Sequence, residues 1–503
     1  MTKPTTAIKL RTFATVLLLA AVTLLVTSCY TAPGFSVSTL QPVLSWNGDP
    51  AQSIVISWYE RSQEPSVELK RPDGSVDVVT GESNGPISTV LVDGLEPDTA
   101  YLYRVDGDSE WHDFRTMPET FDSVSFAVLG DFQPMSRETA RTTALVIDKV
   151  AELDPAFVVQ IGDFAERGAN AASVRLSMSI YSEMGAETAT LATVGNHDYY
   201  SGVYLPRKSA DLFNAVFPAT NRGLNEGQGD GWYSLTTGPI HFAVVDTQAE
   251  DTVFEAQVEW LESDLRAASE AGVRWLFIVG HKPLLLTADG GPNMRWAEVI
   301  LPLAARYDVD AVFWGHNHLL EHMEYAYGAD GRVFDADDVA ATETTHFFSV
   351  LPAGARIEAL YPGMFTSKVS TETWPFVWSG SGEPAELTFD RHGWNHDLAF
   401  HELPGVRYQD PQRYRDAASY YYWPFDNAAD EAAGIYSDDP SIRYTDDAEF
   451  FGYTYAETSI GYLWVEIDGD TCTISSHYVD GPTGEQGTLM RTPGGTPLVW
   501  EFH

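Results

Sequence analysis

The sequence predicts an α/β domain preceded by a smaller all-β module. Between residues 122 and 350, short apolar runs alternate with amphipathic stretches of helical period, as strands joined through helices do. Between residues 41 and 118, apolar and polar residues alternate with period two and turn residues separate the runs, the pattern of half-buried strands. The length of 503 residues exceeds one typical domain, and 44% hydrophobic residues with 14 Trp are enough to fill a core.

From the N-terminus, Lys3, Lys9 and Arg11 precede an apolar run from Phe13 to Val26. That run is too short for a comfortable membrane span of about 20 residues and reads as a processing signal. It ends Val26-Thr27-Ser28-Cys29, which resembles a bacterial lipobox. The resemblance implies cleavage before Cys29, its lipidation, and an extracytoplasmic protein anchored to a bacterial membrane or cell surface. An ordinary signal peptide and an uncleaved anchor are the alternatives. Residues 29–40 are a short polar tether. Cys472 is the only other cysteine, so no disulfide framework forms in the mature chain and stability rests on core burial. With 30 basic and 72 acidic residues the formal charge is -42, spread along the chain. A field of that sign repels phosphate backbones, so no stable nucleic-acid partner is expected.

In the all-β module, SIVISWYE (53–60), SVELKRP (66–72) and TAYLYRVDG (99–107) are the strand candidates. The stretch LVDGLEPDTAYLYRV (91–105) resembles the end of a fibronectin type III-like sandwich, with Trp58 as its buried Trp. In the larger domain, Ser136 caps a helix that runs to Leu153 and stops before Asp154-Pro155. In residues 255–272, Val258, Leu261, Leu265 and Ala268 fall on one helix face and Gly272 suits the C-cap. Residues 231–248 read as a hairpin followed by a buried strand. Residues 351–450 fit no regular pattern and are rich in Trp, Tyr, Pro and Gly, the mark of an insertion with a role. A cap at the mouth of the site is the expectation, a packing or oligomerisation arm the alternative. Residues 451–503 include a strand-turn-strand at 461–481 that closes the domain.

Five apolar runs each end in Gly and a polar residue able to bind metal. They are SFAVLGDFQ (125–133), AFVVQIGDFAERG (156–168), TATLATVGNHD (188–198), VRWLFIVGHKP (273–283) and VDAVFWGHNH (309–318). Each falls where a buried strand hands over to a loop, the place where α/β sheets put their chemistry. The partial repeat WNHD at 394–397 lacks both the apolar run and the Gly and reads as ordinary structure. His322, just past GHNH, reads as a packing residue, with lining the pocket the alternative.

The order GD…GD…GNHD…GHxP…GHxH resembles the calcineurin-like metallophosphoesterases, and a β module placed before it resembles the purple acid phosphatases. The resemblance implies a four-layer sandwich in which two sheets lie between helices. It implies a dinuclear hydrolase of phosphate esters, a phosphomonoesterase by preference, with a metal-bridging hydroxide as nucleophile. Asp163 would bridge the two ions, Asp131 and His318 complete one site, and Asn196, His281 and His316 the other. Mixed Asp, Asn and His donors suit two divalent or trivalent ions of Fe, Mn or Zn. His197 would be the general acid, with Asp198 and Glu166 the candidates to orient it. Arg167 would bind the substrate phosphate together with Asn196, since a guanidinium fork matches phosphate oxygens.

Two positions depart from the pattern. Glu166 stands where purple acid phosphatases have a Tyr, and Gln133 where many relatives have a His. Gln133 is therefore expected to bind the first ion through its carbonyl or to hold a water on it. Tyr199 and Tyr200, just past GNHD, are within reach of such a centre in sequence. The alternatives are a phosphodiesterase or nucleotidase on the same site and, in another class, a non-catalytic surface-binding lipoprotein on a hydrolase scaffold.

Overall fold

The structure, a computed structural model, describes residues 40–200, 209–218, 231–248, 251–284, 293–318, 320–328, 342–355, 453–457, 460–479 and 499–502. The signal segment with Cys29, almost all of the 351–450 insertion and WNHD 394–397 lie outside the described residues.

The N-terminal module consists of β1 (Val43–Ser45), β2 (Ile54–Tyr59), β3 (Ser66–Lys70), β4 (Val76–Thr80), β5 (Glu82–Asn84), β6 (Ile87–Val92), β7 (Ala100–Val105) and β8 (His112–Arg115). Period two is visible in burial: Val67 and Leu69 of β3 and Tyr101, Tyr103 and Val105 of β7 point inward while their neighbours reach solvent. These side chains close over Trp58, which is fully buried.

The larger domain follows with β9 (Ser123–Leu129), α1 (Arg137–Ala151), β10 (Val158–Gln160), α2 (Ala171–Gly185), β11 (Thr190–Ala192) and α3 (Asp211–Val216). Then come β12 (Tyr233–Thr237), β13 (Ile240–Val244), α4 (Asp251–Ala271), β14 (Trp275–Val279), α5 (Met294–Tyr307) and β15 (Ala311–Trp314). The chain closes with β16 (Leu320–Gly328), β17 (Thr342–Ser349), β18 (Tyr453–Glu457), β19 (Gly461–Asp468), β20 (Thr471–Tyr478) and β21 (Val499–Phe502).

Four layers result. Phe126 and Val128 of β9 face Phe242 and Phe277 of β13 and β14 across the gap between two sheets, and the Phe126 and Phe242 rings stand 5.8 Å apart. Ala127 and Leu129 face the other way, onto α1 and α2. Leu276 and Ile278 of β14 likewise face α4 and α5. Strands buried on both faces must be apolar at every position, which explains the unbroken runs. Ser136 caps α1 in a capping box with Thr139, accepting from its N–H at 3.1 Å. Leu261, Leu265 and Ala268 of α4 are buried, Val258 packs beside them, and Gly272 beyond the helix takes a φ of +71°.

One expectation needs correction. The hairpin at 231–248 is not followed by a further strand: its second arm, β13, is itself the buried one, pairing with β14 in parallel. The N-terminal module is the expected all-β unit, two sheets closing over one core, and one of them runs on into the larger domain. Only β4-β3-β7-β8 form a sheet of their own, while β1, β2, β6 and β5 continue the catalytic sheet. That ten-stranded sheet has the order β21-β20-β19-β9-β10-β11-β1-β2-β6-β5. β1 joins β11 in parallel at Ser45 and Thr190. The Tyr103 hydroxyl donates to the Ala186 carbonyl at 2.7 Å, and Thr89 Oγ1 to that of Ala215 at 3.1 Å. At the other end β19 lies antiparallel on β9, and β18 adds to the second sheet, β12-β13-β14-β15-β17-β16-β18.

Candidate metal centre

Asp131, Asp163 and Asn196 follow the ends of β9, β10 and β11, and His281 and His316 those of β14 and β15. The two sheets thus deliver their loops to one place. Ligand atoms of Asp163, His281 and His316 lie within 4.8 Å of one another, as do those of Asp131, Asp163 and His318. Asp163 belongs to both groups. The Asn196 amide oxygen stands 3.2 Å from His281 Nε2 and joins the first group. All seven sequence-predicted ligand positions, Gln133 included, therefore meet in space.

The backbone is bent to achieve this. Among the described residues nine non-glycines take a positive φ, and Asp131, Gln133, Asp163, His316 and His318 are five of them, between 39° and 74°. Each costs an L-residue roughly 1–2 kcal/mol, which such a site sustains only because the surrounding strands impose it. The motif glycines have a matching reason. A Cβ on Gly195 would collide with the Asp163 carboxylate, and one on Gly315 with that of Asp131.

Hydrogen bonds aim the donors. His281 Nδ1 donates to the Ile161 carbonyl at 2.8 Å, which leaves Nε2, 3.2 Å from Asp163 Oδ2, for a cation. Asp163 Oδ1 accepts the His197 backbone N–H at 2.7 Å, and Asp131 accepts that of His316 at 3.0 Å. Burial, then His281 and Lys282, push the His316 pKa well below its ordinary value, so the ring presents a lone pair. Burial would raise the Asp163 pKa, but the surrounding imidazoles, His281 first, hold it below the usual carboxylate range. Buried carboxylates and imidazoles converging in this way fit a pair of cations, and N and O donors suit Fe, Mn or Zn.

His197 stands beside the centre. Its Nδ1 lies 3.0 Å from the Glu166 carbonyl and 3.4 Å from Glu166 Oε2. Burial raises the Glu166 pKa, and His197 acts in the opposite direction. Asp198, the other candidate to orient His197, is corrected. Its carboxylate turns inward and accepts the N–H groups of Gly195 at 2.9 Å, Ala165 at 3.2 Å and Phe164 at 3.4 Å. It clamps the GDFAERG and GNHD loops together. Burial, then the Asp163 charge, raise its pKa.

Gln133 lies against the Asp163 carboxylate, its side-chain amide donating to Oδ2 at 2.7 Å. Arg167 is partly exposed on the Asp163 loop, its backbone N–H held by Ser173 Oγ at 3.1 Å. Tyr199 is buried and donates its hydroxyl to buried Asp246 at 2.6 Å. Tyr200 sits edge-on to His197, ring centroids 5.3 Å apart. Sequence reasoning found neither the Asp246 partner nor the contact of Tyr200, since no spacing rule links residues brought together by folding. His322 packs as expected, stacked on Phe348 with centroids 4.5 Å apart.

The calcineurin-like phosphoesterase family profile matches residues 124–320, and the profile of the purple acid phosphatase N-terminal domain matches residues 39–116. Purple acid phosphatase 23 of Arabidopsis thaliana is 25% identical over 327 residues, 56% of this chain and 68% of the relative. Among solved structures, a purple acid phosphatase from yellow lupin (Lupinus luteus) seeds superposes with a TM-score of 0.55 at 13% identity, covering 87% of this chain and 72% of that one. PhoD superposes with a TM-score of 0.57 at 12% identity, covering 93% and 91%. At such identities these two structures speak for the fold.

Proposed function

We propose that this chain, a phosphatase-type hydrolase with a calcineurin-like phosphoesterase domain behind a purple acid phosphatase N-terminal domain, hydrolyses phosphate monoesters at a dinuclear metal centre. The observation that carries the reading is the sharing of Asp163 between two converging ligand groups. Asp131, Asp163 and His318 would hold one ion, and Asp163, Asn196, His281 and His316 the other. Such a pair supplies a water of lowered pKa and positive charge against the phosphoryl oxygens.

The chain's own residues do the rest. Arg167 offers its guanidinium fork to the phosphate, as Asn196 offers its amide N–H. Local positive charge matters here, because the net charge of -42 repels an anionic substrate everywhere else. His197 protonates the leaving oxygen through Nε2, its ring aimed by the Glu166 carbonyl at Nδ1. The Glu166 carboxylate lies beside the ring, 3.4 Å from Nδ1. Asp198 keeps both loops in register. The preference for monoesters draws on the phosphatase relatives and on Arg167.

Turnover of p-nitrophenyl phosphate against its bis ester, with and without added Mn, is the test. Faster cleavage of the monoester is expected, with all but residual activity and most metal lost in Asp163→Asn. Preference for the bis ester would make the enzyme a phosphodiesterase. No turnover of either by metal-loaded protein would make it a binding protein on a hydrolase scaffold. We also infer lipid anchoring through Cys29 from the lipobox. No helix among the described residues is long and apolar enough to cross a membrane. Cys29→Ser should move the protein to the soluble fraction, and a variant that stays on the membrane would point to an uncleaved anchor.

A further inference from the structure

We propose that Gln133 is a positioning residue for the bridging carboxylate, acting as a hydrogen-bond donor to Asp163 and standing outside the ligand set. The inference rests on Asp163 as the shared ligand and adds what keeps that carboxylate in place.

A carboxylate serving two ions must hold its plane, yet the terminal torsion of Asp is broad. In this chain each oxygen has its own donor. Oδ1 accepts the backbone N–H of His197 at 2.7 Å, and Oδ2 the side-chain amide of Gln133 at 2.7 Å. Two donors on opposite oxygens restrain that rotation. The Gln133 group facing Asp163 is nitrogen, which has no lone pair to offer a cation. A ligand would have to turn its oxygen inward and give up this bond.

The backbone supports the same role. Gln133 holds a φ of +39°, a strained value for a side chain of this size. Its own N–H lies 3.4 Å from the Asp163 carbonyl, and that of Phe132 3.1 Å from the same oxygen. Residues 132–133 and Asp163 thus move as one unit, so the amide and its target keep their separation. Gln133 is 6% exposed, which keeps water from competing for the bond. A hydrogen bond to a ligating carboxylate also draws charge from it.

Gln133→Glu separates the two roles, because it keeps the size and an oxygen but removes both N–H donors. Wild type, Gln133→Glu and Gln133→Ala are loaded with Mn and dialysed against graded chelator, and metal per chain is measured. Thermal melts in excess chelator report the metal-free fold. A positioning donor predicts that both variants lose metal affinity by about 10–100-fold, the range for outer-shell partners, while all three metal-free chains melt alike. Equal or tighter metal binding by Gln133→Glu, with wild type holding two ions, would overturn the role of Gln133 and leave the centre standing. A wild type that takes up no metal would overturn the centre and the inference with it. If Gln133→Ala loses affinity only in step with a lower metal-free melting temperature, the role is structural and the proposal fails.

Discussion

His281 shows how one side chain is prepared for its task. Its Nδ1 is committed to the Ile161 carbonyl, and its Nε2 faces Asp163 and Asn196. Burial, the largest single influence, lowers its pKa, but the Asp163 charge and hydrogen bond, the Asp131 charge and the Ile161 carbonyl together outweigh it and raise the value to about 9. A folded value above the unfolded one, about 6.5, has a definite sign. In metal-stripped protein this pair stabilises the fold fully below about pH 6.5 and loses its contribution as pH rises through about 9. A bound cation replaces the proton, so the loaded protein should lack that decline. Melting temperatures of chelated and loaded protein across this window are the check, and superimposable profiles would sink the idea. His197 is predicted to be the general acid. His197→Ala should slow alkyl phosphates by about 10²–10⁴-fold and p-nitrophenyl phosphate far less, since a good leaving group needs little protonation. Equal losses on both would indicate damage to the metal centre. Colour is decided at this scale too: Glu166 replaces the expected Tyr, and the Tyr199 hydroxyl is engaged by Asp246. Iron-loaded, oxidised protein should therefore show no strong visible band. One that disappears in Tyr200→Phe would refute this.

At the scale of elements, three of the motif glycines are set directly against a ligand: Gly162 against His281, Gly195 against Asp163 and Gly315 against Asp131. Gly195→Ala places a methyl where the Asp163 carboxylate lies, and Gly315→Ala does the same to Asp131. Neither glycine takes a positive φ, so the objection is contact and not backbone strain. A displaced bridging carboxylate should cost on the order of 10²-fold in kcat, the penalty for misplacement by about 1 Å. Metal analysis and kinetics of Gly195→Ala would check it, and near-normal values for both would mean the loop yields freely. Helix ends were readable because caps are local: Ser136 and Gly272 act within one turn of their own positions. Strand partners were not readable in the same way. Nothing local in Ser45 announces that it pairs with Thr190.

For the whole molecule, that pairing means the N-terminal module is the lateral continuation of the catalytic sheet. β11, which leads directly to Asn196 and His197, has β10 on one side and β1 on the other. Deleting residues 40–118 would leave β11 an exposed edge and uncover the Ala186 carbonyl that Tyr103 satisfies. The remaining chain should be insoluble or aggregate. Tyr103→Phe, a gentler probe, removes one buried hydrogen bond and should cost about 1–3 kcal/mol, with the metal content of the folded protein unchanged. Solubility, melting temperature and metal analysis test both variants. A soluble truncated chain with wild-type melting would show that the module is an appendage after all.

The sequence by itself determined the α/β class, the order of the motifs, the positions of the helix caps and which side chains are able to bind metal. All of these are written in residues close together along the chain: an apolar run, a glycine, a polar residue after it. The ligand pair Asp131 and His318 was reached only through the resemblance of the whole motif set, because 187 positions separate them and spacing carries no geometry over that distance. Tertiary structure alone decided which partners the contested side chains meet. Asp198 and Glu166 were equal candidates beside His197 until folding turned one toward backbone amides and left the other against the ring. Gln133 had an oxygen and a nitrogen to offer, and only the approach of Asp163 from a neighbouring strand decides which one faces the centre. A side chain's chemistry is a property of its residue type. Which atom it presents, and to what, depends on partners that distant strands bring to it.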